Sequence, residues 1–84
     1  MKFYNYPGKK NICGDRIREA RLRKRLSQTE LCQKLQLAGI GMNRDGLSKI
    51  ENLDRLVADF EVVIMAEVLE VPVDWLLGIE ERRG

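Results

Sequence analysis

The sequence predicts an all-α fold of five short helices in one small domain. Its 84 residues suit a single domain. Apolar residues recur at helical spacing, and no stretch alternates polar and apolar residues as a half-buried strand does. Helix caps and turn residues separate the apolar segments at short intervals. We divide the chain into an arm or lead-in at residues 1–13, a helical domain at 14–78 and a charged tail at 79–84.

Composition excludes several classes of function. The chain has no histidine, which removes His-based catalysis and Cys/His zinc sites. Its two cysteines, Cys13 and Cys32, are too few for a four-thiolate metal site. The longest apolar run, Val62 to Ala66, is far shorter than the ~20 residues of a membrane-spanning helix, and no signal-peptide core is present. We therefore expect a cytoplasmic binding protein, not an enzyme, without cofactor, metal, membrane or small-molecule partner.

The charge is divided unevenly along the chain. Residues 1–42 carry ten basic and three acidic residues, whereas the remaining residues carry five basic and ten acidic ones. The overall charge of +2 therefore conceals a basic half and an acidic half. Such asymmetry favours a surface that binds a polyanion, although a solvated helix with scattered charges is the simpler alternative.

The first helix is expected from Asp15, as its N-cap, to Arg25. One face of this segment carries Cys13, Ile17, Ala20, Arg21 and Lys24. Because Arg21 lies within that apolar stripe, it needs a partner for its charge. The preceding lead-in contains Phe3, Tyr4 and Tyr6 among lysines. It is either poorly ordered or an arm that reaches DNA or a partner subunit.

The second helix begins with a capping box, Ser27-Gln28-Thr29-Glu30, in which Ser27 and Glu30 satisfy each other's backbone amides. Leu31, Cys32 and Leu35 share one face. The glycine-containing segment Leu37–Met42 then forms a turn.

Asn43 is the expected N-cap of a third helix, from Arg44 to about Asn52. Leu47 and Ile50 point one way, and the opposite arc is entirely polar, with Arg44, Asp45, Ser48, Lys49 and Asn52. Gly46 is unusual inside a helix. It either lets the backbone approach a partner closely or is simply tolerated.

Residues 52–58 are predicted to form a loop, after which Asp59 caps a fourth helix, Phe60–Leu69. That helix is apolar nearly all round, so we expect it to be the central buried helix. Pro72 suits the first turn of a last helix, Val73–Leu77, which Gly78 ends.

The second and third helices together have a helix-turn-helix pattern, in which a short helix and a turn precede a helix with a wide polar face. The polar side chains of the third helix are of the types that recognise base edges. Arginine and lysine suit guanine, asparagine suits adenine, and aspartate accepts from cytosine. We therefore predict sequence-specific binding to double-stranded DNA.

Four blocks of the sequence resemble the Cro/cI-type (XRE) helix-turn-helix domain. They are Leu26–Leu35, Leu47–Asn52, Ala66–Val71 and Trp75–Gly78, and the resemblance covers about Asp15 to Gly78. It implies five helices, transcriptional regulation, most commonly as a repressor, and a homodimer on a pseudo-palindromic operator.

The resemblance also assigns roles to individual positions. Gln28, Asn52 and Arg55 fall where the family contacts the DNA backbone, and the base-reading positions are Arg44, Asp45 and Lys49. With Thr29, Asn43 and Ser48 these residues form the expected DNA-binding set. Arg21 and Glu51 match a pair that the family joins as a buried ion pair, which supplies the partner that Arg21 needs.

Two departures from the family pattern affect these expectations. The turn before the third helix is longer by about five residues near Ala38–Met42, so that helix can be tilted or shifted. Within the turn, Ile40 and Met42 either cover the core edge or extend the contact surface. The family's usual glycine after the fourth helix is Glu70 here, so we expect no left-handed cap there.

A protein-interaction module, such as an antitoxin or a partner-binding regulator domain, is the alternative function. Its signature would be an exposed apolar patch around Trp75, Leu76 and Ile79, with the third helix covered. Cys32 is expected to be a buried thiol rather than a redox sensor, and Cys13 a partly buried small residue.

Overall fold

The structure, a computed structural model, describes residues 8–79, and all regular secondary structure within that range is α-helix. Its five helices, in chain order, are α1 (Gly14–Arg23), α2 (Gln28–Leu37), α3 (Arg44–Glu51), α4 (Asp59–Leu69) and α5 (Val73–Leu76). The predicted all-α fold is confirmed. Phe3, Tyr4 and Tyr6 of the expected arm, and residues 80–84 of the expected tail, lie outside the described residues. None of the five helices is long and apolar enough to span a bilayer.

The hydrophobic core forms where α1, α2, α3 and α4 meet, with α5 packed against α1 and α4. The side chains in it that are completely buried come from all five helices. They are Ile17, Leu31, Leu35, Leu47, Ile50, Met65 and Leu76. Cys32 is buried, as predicted, and Cys13 is buried more completely than expected. Burial raises the pKa of each thiol.

Two N-caps predicted from the sequence are confirmed. The Ser27 hydroxyl accepts from the backbone N–H of Glu30, and the Glu30 carboxylate accepts from the backbone N–H of Ser27. At the start of α3 the side chain of Asn43 accepts from the N–H of Gly46 at 2.7 Å. These bonds satisfy amides that the first turn of a helix leaves unpaired, and they fix where α2 and α3 begin.

The expectation that Asp15 caps α1 is wrong. The helix begins one residue earlier, at Gly14, and the side chain of Asn11 accepts from the Gly14 N–H at 2.8 Å. The same helix ends at Arg23 rather than Arg25, because Arg25 adopts a left-handed conformation with φ 58°.

The fourth helix differs from its prediction in burial and at both ends. It begins at Asp59, so its N-cap residue is Ala58 rather than Asp59. The Glu61 carboxylate accepts from the backbone N–H of Ala58. Phe60 and Val63 are 60% and 46% exposed, because only one face of α4 meets the rest of this small domain. Glu70 does adopt the left-handed conformation (φ 59°, ψ 44°), so the cap that we expected to be missing is present.

The lengthened turn between α2 and α3 is anchored by its apolar residues. Ile40 and Met42 are buried, whereas their neighbours Gly39 and Gly41 are exposed. The side-chain amide of Gln36 donates to the backbone carbonyl of Met42 at 3.0 Å. Of the two roles considered for Ile40 and Met42, covering the core is therefore the one that the structure shows.

Candidate nucleic-acid interface

The outward face of α3 is not covered by any other described part of the chain. Its polar residues Arg44, Asp45, Lys49 and Asn52 are exposed, and Ser48 is half-buried. On the inward side Leu47 and Ile50 are completely buried, and Glu51 is buried with them. The amphipathic pattern in the sequence thus corresponds to a helix attached by a narrow apolar side and presenting a wide polar one.

Three adjoining clefts surround this outward face, and they bring together all of the predicted DNA-binding residues except Thr29. Gln28 lines both the first and the third of the clefts described below, and Asp45 lines both the first and the second. Thr29 is exposed in the first turn of α2 but lines none of them. The first cleft contains Gln28, Arg44, Asp45 and Ser48. The second contains Asn43, Asp45, Gly46, Lys49 and Arg55. The third contains Arg18, Gln28, Glu51 and Asn52.

Asp45 and Lys49 lie one helical turn apart on the exposed face of α3. The Lys49 ammonium is 3.5 Å from an Asp45 carboxylate oxygen, and both side chains are largely exposed. An exposed pair of this kind is held weakly, at about 0.3–0.5 kcal/mol. Either group can therefore exchange its partner for a base edge at little energetic cost.

Gly46 lies on the same helix, beneath the Asn43 cap. A Cβ at this position would be 3.1 Å from the cap oxygen of Asn43 and 3.3 Å from the sulfur of Met42. The glycine is therefore explained by crowding within the chain, a reason that sequence analysis did not consider. The cap and the buried end of the long turn leave little room for a side chain there.

Arg55 is directed back toward α4. Its guanidinium donates to both carboxylate oxygens of Glu61, at 3.2 and 3.3 Å, and to the carbonyl of Leu56 at 3.0 Å. Burial alone would raise the pKa of Glu61, but the bonds from Arg55 and from the Ala58 N–H outweigh it and lower that pKa. A phosphate contact by Arg55 must therefore compete with Glu61.

Beneath the interface, Arg21 of α1 and Glu51 of α3 form two parallel hydrogen bonds, of 2.8 and 3.0 Å. Both side chains are at least nine-tenths buried. Arg21 also donates to the carbonyl of Leu26, and the amide of Gln28 donates to Glu51 at 3.1 Å. The hydrogen bonds to Glu51 raise the pKa of Arg21, so the guanidinium stays charged. This network connects α1 and the start of α2 to α3.

Sequence analysis missed two residues that position α3. The amide of Asn11 donates to the carbonyls of Ile50 and Arg55, and Gly14 packs against the same Ile50 carbonyl. Neither shows a sequence signal, because the contacts cross about forty positions of chain. Arg18, which is not among the predicted DNA-binding residues, also lines the cleft with Gln28 and Asn52.

The patch expected of a protein-interaction module is not formed by the described residues. Leu76 is completely buried, while Trp75 and Ile79 are half-buried. The Trp75 ring lies under the guanidinium groups of Arg16 and Arg23, 4.6 and 5.4 Å from the ring centroid. Trp75 therefore serves to attach α5 to α1.

Comparison with known protein families identifies a family for this chain. A family model described as Helix-turn-helix matches residues 17–76, which is 60 of the 84 residues and includes all of α2, α3, α4 and α5. No curated protein and no solved structure matches the chain significantly.

Proposed function

The chain belongs to the Cro/cI-type helix-turn-helix family of DNA-binding transcription regulators, and we propose that it binds a specific sequence of double-stranded DNA through the outward face of α3. The observation that carries the proposal is that this face is exposed and made of polar side chains. An eight-residue helix attached by Leu47, Ile50 and Glu51 leaves its polar outward face free to enter the major groove.

Arg44, Asp45, Ser48 and Lys49 are the residues that we propose read bases. Arginine and lysine donate to the guanine O6 and N7 acceptors, and aspartate accepts from the cytosine amino group. Arg44 and Lys49 lie at the two edges of the exposed face and line different clefts, so they support recognition of guanines at different base pairs. Ser48, between them on the same face, can either donate or accept.

Backbone contacts are proposed for the residues around the two ends of this face. Gln28 and Thr29 lie at the start of α2, Asn43 lies before α3, and Asn52 and Arg55 follow it. Phosphate contacts fix the register of a protein on DNA without reading its sequence. The basic first half of the chain adds long-range attraction to the same polyanion.

We propose a homodimer on a pseudo-palindromic operator, acting as a repressor in the cytoplasm. One short helix reads only a few base pairs, so a second copy is needed for a site of useful specificity. The exposed apolar side chains of Leu56, Phe60 and Val63 support this, because water-exposed apolar surface favours association. Leu56 itself lies in the cleft that contains Lys49. A bound dimer would repress by excluding other proteins from the DNA that it covers.

Selection of binding sequences from a pool of random duplexes tests the proposal. The expected result is a two-fold symmetric motif with half-sites about one helical turn apart, which places the recognition helices ~34 Å apart. If the dimer neutralises ~8 phosphates, log K falls with log salt at a slope near −7. Recovery of random sequence from the bound fraction would reject the proposed function.

A further inference from the structure

The segment that precedes α1 is hydrogen-bonded to the end of α3 and to the loop after it. The backbone N–H of Lys10 donates to the carbonyl of Leu53 at 2.8 Å. One residue later, the side-chain amide of Asn11 donates to the carbonyls of Ile50 and Arg55, at 3.1 and 2.9 Å. Three carbonyls in and just after α3 are therefore held by two consecutive residues of the lead-in.

The end of α3 needs such support, because Leu53 has a left-handed conformation with φ 64°. A branched side chain in this region carries strain of the order of 1–3 kcal/mol, which persists only where the surroundings fix the backbone. The N–H groups of Leu53 and Asp54 turn back to the carbonyls of Ile50 and Lys49. The carbonyl of Leu53 itself accepts the hydrogen bond from the Lys10 N–H.

Asn11 also fixes the start of α1. While its amide holds α3 and the following loop, its carbonyl oxygen accepts from the N–H of Gly14. No side chain separates the two helices at this point, because a Cβ on Gly14 would lie within 3.0 Å of the Ile50 carbonyl oxygen. One side chain thus connects the first turn of α1, the last turn of α3 and the loop that carries Arg55.

We infer that Asn11 is a positioning residue for DNA recognition, which sets the orientation of α3 and of Arg55 through its amide. The inference rests on the proposed function and adds a determinant outside the recognition helix. Asn11 sits at the C-terminal end of α3, and the Arg21–Glu51 pair supports the same helix from α1. With the amide bonds lost, α3 and its loop are free to shift. Base contacts, which require accurate placement, then weaken more than phosphate contacts do.

Asn11→Asp separates the two functions of this side chain. It retains an oxygen acceptor for the Gly14 N–H and loses the N–H groups that hold Ile50 and Arg55. The measurement is the ratio of affinities for the best selected duplex and a scrambled duplex of equal length. The sequence-independent repulsion between the added charge and DNA acts on both duplexes and cancels in the ratio, which therefore reports the change in specific contacts. We expect the ratio to fall about tenfold or more, while scrambled-duplex affinity changes only by that common charge effect.

Ser27→Ala is the matched control, since it removes a capping acceptor from α2 without contacting α3. Its ratio should stay within about twofold of wild type, with all proteins measured well below their melting temperatures. Should Asn11→Asp fail to fold, Asn11→Ser, with a shorter side chain, takes its place. An unchanged ratio in a folded Asn11 variant overturns the positioning role alone. A wild-type protein with no preference between the duplexes overturns the proposed function as well.

Discussion

Gly14 of α1 packs directly against the backbone carbonyl of Ile50 in α3, with no room for even a methyl group between them. A Cβ at Gly14 would lie closer than 3.0 Å to that oxygen, and also close to the side chain of Leu53. Gly14→Ala therefore has to separate the two helices or distort them. We predict a loss of about 2 kcal/mol or more in the free energy of unfolding, measured by urea denaturation.

Gly41→Ala is the control for this prediction. Gly41 has no atom within 4 Å of an added Cβ and is not in the positive-φ region. The substitution should change the unfolding free energy by less than about 0.5 kcal/mol. Equal effects at Gly14 and Gly41 would contradict the close approach of α1 and α3.

The Arg21–Glu51 pair predicts a second, larger effect. Arg21→Ala leaves the Glu51 carboxylate buried with only the Gln28 amide as a hydrogen-bond donor among the described contacts. Loss of one partner of a buried pair costs about 3–5 kcal/mol of folding free energy. Replacement of both residues, as in Arg21→Met with Glu51→Leu, should recover most of that loss, because no buried charge remains. A double variant no more stable than Arg21→Ala would show that the pair is not the source of the effect.

Much of the fold was predictable because its signals are local. The Ser27–Glu30 capping box and the Asn43 cap each act over three residues, so short segments of sequence place the starts of α2 and α3. Leu47 and Ile50 likewise reveal the buried side of α3 by their spacing.

The errors arose where distant parts of the chain meet. The N-cap of α1 is Cys13 rather than Asp15, and the Gly14 N–H is accepted by Asn11, whose side chain is also bonded to the Ile50 carbonyl. Phe60 and Val63 are exposed although apolar, because the domain is too small to cover both faces of α4. Arg55 resembles a free DNA contact in sequence, but its bond to Glu61 depends on how the loop after α3 folds.

The Arg55–Glu61 interaction predicts acid sensitivity. Because the pKa of Glu61 is lowered in the folded state, its contribution to stability is complete above the unfolded pKa, near 4.5. The contribution is lost as the pH falls through the lower, folded value. Glu61→Gln should therefore reduce stability at pH 7 and flatten its decline between about pH 5 and pH 3, measured by denaturation at each pH. An equally steep decline in Glu61→Gln would assign the acid sensitivity to other carboxylates, such as Glu30.

Glu70 at the end of α4 offers a stabilising substitution. It is a non-glycine residue in the left-handed region, and its carboxylate forms a surface ion pair with Lys24. Glu70→Gly should gain about 0.5–1 kcal/mol, because glycine adopts this conformation without strain and the surface ion pair contributes little. Glu70→Gln, which retains the strain and loses the charge, should not gain stability. A gain in both variants would point to charge rather than conformation.

If the outward face of α3 reads DNA, loss of the Lys49 side chain must weaken recognition. The measurement is the affinity of Lys49→Ala for the selected duplex, beside Lys34→Ala, which removes an exposed lysine of α2 near Glu70. Loss of a base contact costs ~1–3 kcal/mol, so Lys49→Ala should bind about tenfold or more weakly, with relaxed preference at one base pair. Lys34→Ala should remain within about twofold of wild type. Equal affinities of the two folded variants for the selected duplex would contradict the reading of bases by the outward face of α3.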